Sequence, residues 1–212
     1  MKHIKTNKKG FTLIELLVVI AIIAVLAVVV ILTLNPAELL RQARDSNRIS
    51  DLGTLKSAIS LFQADVSTSS LSAIGAYGTL YVNTGGCGGI ATSTCNYGAT
   101  APINSQWGFA TGSIAPGGVS TGATSTQRNV NGTGWVPVNF NAISSGSPIG
   151  NLPVDPLNTA SNTYAYVASS TSFKAATKVE STKYTTGGGS DVASTDGGNS
   201  SSTFESGTKL DL

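Results

Sequence analysis

"KKGFTLIELLVVIAIIAVLAVVVILTL", residues 8–34, is the stretch whose reading decides the fold. As a helix, Phe11–Leu34 is about 36 Å long at roughly 1.5 Å per residue, enough to cross a hydrocarbon core of about 30 Å. One carboxylate, Glu15, interrupts the apolar run. At the centre of a membrane helix such a group costs roughly 2.5–3.5 kcal/mol on insertion scales. Near the helix N-terminus the cost is smaller, because Glu15 can approach the interface and meets the positive end of the dipole. It still needs a partner wherever the segment packs away from water.

Residues 1–10, "MKHIKTNKKG", form a short basic leader. The formal net charge is +2, but Lys2, Lys5, Lys8 and Lys9 all lie in this leader; without it, 9 basic residues face 11 acidic ones. The leader reads as a cytoplasmic-side orientation signal. The remaining chain lacks the basic field of a nucleic-acid binder, so no nucleic acid is expected as a partner. An ordinary secretory signal has an apolar core of about 7–15 residues followed by a small-residue cleavage site. This run is longer, carries Glu15, and has no such site before the pattern turns amphipathic. A plain anchor leaves Glu15 without a role. Cleavage between Gly10 and Phe11 supplies one: the new cationic amine on Phe11 of a neighbouring subunit could neutralise Glu15 inside an apolar bundle.

Beyond the apolar run the helical pattern continues. Leu52, Leu55, Ile59, Phe62 and Val66 form an amphipathic stripe, and Pro36 predicts a kink or local break near Thr33–Pro36. Arg41, Arg44 and Arg48 share a face, interleaved with Glu38, Asp45 and Asp51, which reads as a solvated juxtamembrane surface of mixed ion pairs. From Ser67 onward Gly, Ser and Thr dominate. Strand-like segments are "YGTLYV" (77–82), "WVPVNF" (135–140), "TYAYVA" (163–168) and "SFKAATKVE" (172–180). In the last, Phe173, Ala175, Thr177 and Val179 face one way and Lys174, Lys178 and Glu180 the other. "SSTS" (169–172) closes a hairpin. The expected core joins Leu52, Ile59 and Phe62 with Tyr164 or Tyr166, Phe173 and Val179. The fold class is α+β: a long N-terminal helix, membrane-spanning then amphipathic, packed on a small antiparallel sheet.

Cys87 and Cys95 are the only cysteines. In an exported region a disulfide closing this small loop is the natural reading, with two unpaired thiols as the alternative. The only histidine is His3, which cleavage would discard, leaving no His-based nucleophile activation and no His zinc ligand. The acids of the exported part are scattered, so no enzyme is expected. Asp155, between Pro153 and Pro156, reads as a turn residue. Trp107 and Trp135 read as core anchors rather than adhesive aromatics, and "NGT" (131–133) and "NSS" (199–201) are weak glycosylation signals.

The leader ending in Gly10, then Phe11-Thr12-Leu13-Ile14-Glu15 and a long apolar run, resembles the class III signal of type IV pilins and type II secretion pseudopilins. The resemblance implies a pilin fold and three roles. Prepilin peptidase cuts after Gly10 from the cytoplasmic side and methylates Phe11, and Glu15 aids docking onto the growing filament. "LGTLKSAISLFQAD" (52–65), "LPVDP" (152–156), "TYAYV" (163–167) and "FKAATKVESTKY" (173–184) resemble the helix and closing hairpin of the major-pseudopilin type. Where the family often carries a Gly and a Pro within the run, Ala24 and Leu32 stand here, and Pro36 comes slightly later. Several major pseudopilins hold calcium in a C-terminal loop. Asp191, Asp196 and Asn199 in "GGGSDVASTDGGNSSSTFESG" (187–207) offer hard oxygen ligands for it, the alternative being a plain flexible loop.

The implied organisation is a leader (1–10), a transmembrane and filament-core helix (11–34), its amphipathic continuation (35–66), and a Gly/Ser/Thr-rich exported β domain (67–212). Implied partners are prepilin peptidase, identical and related pilin subunits, a membrane assembly platform, and the lipid bilayer before assembly. The implied location is the cytoplasmic membrane, single-pass, then a periplasmic or extracellular filament. Two uses fit, a secretion pseudopilus or a surface type IV pilus for adhesion, motility or DNA uptake. A membrane-tethered binding module that never polymerises is the alternative of another class.

Overall fold

The computed structural model describes residues 10–66, 74–75, 80–83, 119–122, 128–159, 162–169 and 171–212. The chain divides into two compact units, residues 1–40 and 41–212.

In the first unit, helix α1 spans Leu13–Leu34. Its many Val and Ile residues are indifferent helix formers in water. In an apolar medium every backbone N–H and C=O must be satisfied within the segment, and the helix does this. Neighbouring side chains are exposed all round, with Leu13 at 81%, Ile14 at 68% and Val25 at 66%, so no internal core accounts for the apolarity. Leu13–Ile31 is long and apolar enough to cross a membrane.

The break expected near Pro36 falls at Asn35, which takes the left-handed conformation (φ 39°). Pro36 opens helix α2, Pro36–Asp65, at the position where a missing N–H costs nothing. The Asn35 carbonyl accepts from the Glu38 and Leu39 N–H groups at 3.0 and 3.3 Å, and its Oδ1 accepts from Glu38 N at 3.4 Å. One asparagine therefore ends one helix and caps the next.

In the second unit the α2 stripe meets a five-stranded sheet. Strands β1 (Leu80–Asn83), β2 (Val119–Gly122), β3 (Tyr164–Ala168), β4 (Phe173–Lys178) and β5 (Thr203–Gly207) lie in the order β2-β1-β3-β4-β5. Strands β1, β3 and β4 pair antiparallel, as expected, and β5, which the sequence reading did not place, pairs antiparallel with β4. β2 adds a parallel edge to β1 that the sequence reading missed; such an edge needs a long crossover rather than a hairpin. The β3–β4 turn closes with Ser169 N–H donating to the Ser172 carbonyl at 2.7 Å.

Leu52, Leu55, Ile59 and Phe62 are buried against Tyr164, Tyr166, Phe173 and Ala175, with Val66 partly buried beside them. Each large apolar side chain there contributes about 1.5–3 kcal/mol. Val179 is buried too, but outside this cluster. "WVPVNF" is not a ladder strand: Pro137 cannot donate to one, only an isolated bridge joins Asn131 and Asn139, and Phe140–Ala142 forms a 3-10 turn. Its apolar residues Trp135, Val136, Val138 and Phe140 nonetheless enter the core. Trp135 is an anchor as expected, its Nε1–H donating to the Pro153 carbonyl at 3.0 Å and its ring 6.1 Å from Tyr164.

The arginine face carries mixed ion pairs as expected but is solvated only in part: Arg41 is exposed and Arg44 half-buried, whereas Arg48 and Asp45 are buried. Arg48 is fully buried and forks onto Asp155, Nε to Oδ2 at 2.6 Å and Nη2 to Oδ1 at 3.0 Å. Its Nη1 reaches Asp45 and Glu180, each at 2.8 Å, and Arg44 meets the same Glu180 oxygen at 2.8 Å. Asp45 in turn accepts from the backbone N–H groups of Glu180 and Ser181. Burial alone would lower the Arg48 pKa, but Asp155, Glu180 and Asp45 outweigh it and hold the guanidinium charged. Asp155 is the turn residue expected, accepting from Leu157 and Asn158 N–H, and also the partner that ties α2 to the turn before β3. Arrays of this kind impose register, since an unpaired buried charge is costly.

Candidate functional site

The start of α1 gathers the residues singled out for processing. Among the described residues a Cβ on Gly10 would meet nothing within 4 Å, and its backbone is not in the left-handed region. Neither packing against the described residues nor conformation therefore requires glycine at position 10. Phe11 is 79% exposed.

Thr12 is the N-cap of α1 and forms a complete capping box with Glu15. The Thr12 hydroxyl accepts from Glu15 N–H at 3.3 Å, while Glu15 Oε2 accepts from Thr12 N–H at 2.9 Å and from its hydroxyl at 2.7 Å. This answers how an apolar helix tolerates a carboxylate: Glu15 satisfies backbone groups that the first turn leaves without partners. The signal was present as "TLIE", a Thr-x-x-Glu before an apolar run, and the charge-pair reading passed over it. Both bonds fall on Oε2, so Oε1 receives none among the described residues. Phe11, Ile14, Glu15, Val18 and Val19 line one shallow groove on this side of the helix, so the acid opens onto an apolar face.

Residues 5–31 match the prokaryotic N-terminal methylation motif. The chain carries a prepilin-like signal. Gly10, Phe11 and Glu15 all lie within the matched residues, and the apolar helix that follows is consistent with a single-pass membrane-anchored, pilin-like precursor. Such a motif implies processing by a prepilin peptidase and points to a structural subunit rather than an enzyme. Comparison with curated proteins and with solved structures found no match to the chain.

The residues considered for calcium serve separate local bonds. Asp191 accepts from Gly187 N–H at 2.8 Å and from the N–H and hydroxyl of Ser194 at 2.9 and 2.6 Å. Asp196 accepts from Gly198 N–H at 2.9 Å and Glu205 N–H at 2.6 Å. Asn199 Oδ1 accepts from the Lys174 ammonium at 2.7 Å. Among the described residues no three His, Cys, Asp or Glu side chains gather as a metal site would require. Cys87, Cys95 and Trp107 lie outside the described residues.

Proposed function

We propose that this chain is the structural subunit of a type IV pilus-like filament, for which the membrane is a store before assembly. The carrying observation is the match of residues 5–31 to the methylation motif, laid over a helix that exposes apolar side chains on every side. In this reading prepilin peptidase cuts between Gly10 and Phe11 and methylates the new amine. An assembly platform then draws α1 out of the bilayer, and the helices of identical or related subunits bury one another's apolar faces. Glu15 exchanges its intrahelical Thr12 partner for the Phe11 amine of a neighbour, which gives the charge a stronger, charge-assisted bond.

The finer reading is a secretion pseudopilus, supported by the resemblance of the β3–β4 hairpin to the closing hairpin of major pseudopilins. Filaments seen outside the cell by electron microscopy would favour the surface pilus instead. Replacing Glu15 with Ala tests polymerisation. The variant should still be cut but should enter filaments poorly; a Glu15→Ala chain that assembles like the parent would leave the tethered binding module as the better reading.

A further inference from the structure

Lys174 is the least expected charge of the second unit. Alternation puts it on the sheet face opposite the α2 core, where a lysine would ordinarily reach water, yet it is fully buried. Its Nζ lies 2.6 Å from Glu205 Oε1 and 2.7 Å from Asn199 Oδ1. The Leu210 carbonyl and a main-chain oxygen of Leu212 lie 2.8 and 3.4 Å away. Register explains the meeting. Ala176 stands opposite Glu205 and Lys174 opposite Gly207, so Lys174 and Glu205 rise from one face as diagonal neighbours. Two glycines make room: a Cβ on Gly207 would strike the Phe173 carbonyl, and one on Gly198 would strike the Glu205 carboxylate. Gly198 thus lets the segment before β5 pass close to the Glu205 carboxylate.

We propose that Lys174, Asn199 and Glu205 form a self-modifying site that joins the Lys174 side chain to the Asn199 side chain through an isopeptide bond. A carboxamide is an acyl donor, an amine a nucleophile, and a carboxylate bonded to that amine a proton carrier. Glu205 takes a proton from Nζ, and the freed lone pair adds to Asn199 Cγ. A second proton passes through Glu205 from Nζ to Nδ2 as the tetrahedral adduct collapses. The Cγ–Nδ2 bond breaks, the Cγ–Nζ bond forms, and ammonia leaves with Glu205 protonated. No oxidant, metal or co-substrate enters. The products carry no net charge, as the ion pair carried none, but two buried charges have become a neutral amide and a neutral acid, which relieves their desolvation. Burial already lowers the Lys174 pKa and raises that of Glu205, each toward the neutral form that the step needs. The cross-link would clamp β4 to the segment entering β5, whether or not the chain polymerises.

Intact mass and a tryptic digest of the full-length chain, purified in detergent, test this. The mass should be lower by one ammonia than the sequence and its N-terminal processing require. Trypsin should fail to cut after Lys174 and should release a branched peptide joining it to Asn199. Glu205→Gln should restore both the mass and the cut. A wild-type chain of full mass, cleaved at Lys174, overturns the proposal even if the variant does not fold. Ammonia lost without a branched peptide, as when Asn199 cyclises on its own backbone, overturns it equally.

Discussion

Replacing Arg48 with Met should destabilise the second unit by about 3 kcal/mol. Breaking a buried ion pair from one side costs about 3–5 kcal/mol, and the surroundings place this case at the lower end. Glu180 keeps Arg44 at 2.8 Å, Asp155 keeps the N–H groups of Leu157 and Asn158, and Asp45 keeps those of Glu180 and Ser181. No carboxylate is left bare, but Asp155 loses both prongs of its fork. Urea unfolding of the full chain in detergent, followed by tryptophan fluorescence, reads the loss. With a urea slope of about 1–3 kcal/mol/M, the midpoint should fall by about 1–3 M. Arg48→Lys should recover little, because one ammonium cannot span both Asp155 oxygens. Asp155→Asn combined with Arg48→Met should cost less than the two single losses added, with a coupling of at least about 1 kcal/mol. A loss below about 1 kcal/mol for Arg48→Met, or strict additivity, would refute the buried array as a determinant of the fold.

Acid should act through Glu180 and Asp65. Burial pushes Glu180 up, but Arg44 and Arg48 outweigh it and hold the carboxyl below its ordinary range; Asp65 is held low by the Ser144 backbone N–H and then by its hydroxyl. A carboxyl whose folded pKa lies below its unfolded value contributes fully above the unfolded value and loses that contribution as pH falls through the folded one. Melting temperature should therefore drop below the ordinary carboxylate range, and the drop should be shallower in Glu180→Gln. Gly10→Val should leave the circular dichroism and melting of the chain unchanged while blocking conversion to the mature form on a gel, since a side chain at position 10 meets nothing among the described residues. Calcium at Asp191, Asp196 and Asn199 would have to draw together three side chains that now serve separate local bonds; if it binds, millimolar calcium should raise the melting temperature in calorimetry, and an unmoved midpoint removes it.

The elements written in the period of their residues were legible in advance. Leu52, Leu55, Ile59 and Phe62 announce a buried helix face, and Tyr164–Ala168 with Phe173–Lys178 announce a hairpin, because both signals are local. The charged residues were not. Arg48 looks like a surface arginine because its partner Asp155 is 107 residues away, and Lys174 looks outward because alternation says nothing about what covers the second face. Strand β5 escaped for the same reason: in "TFESG" Glu205 stands on that second, covered face, where it meets Lys174. At the N-terminus the outcome reversed, since Thr12 and Glu15 are three residues apart and their capping box was readable, but a longer-range role for Glu15 displaced it.

The central claim is that the membrane helix is the assembly surface of a processed subunit, and mass spectrometry of the mature N-terminus tests it most directly. The account predicts a chain beginning at N-methylated Phe11, with residues 1–10 absent. A chain that keeps Met1 and its leader, or one cut anywhere but before Phe11, would contradict it.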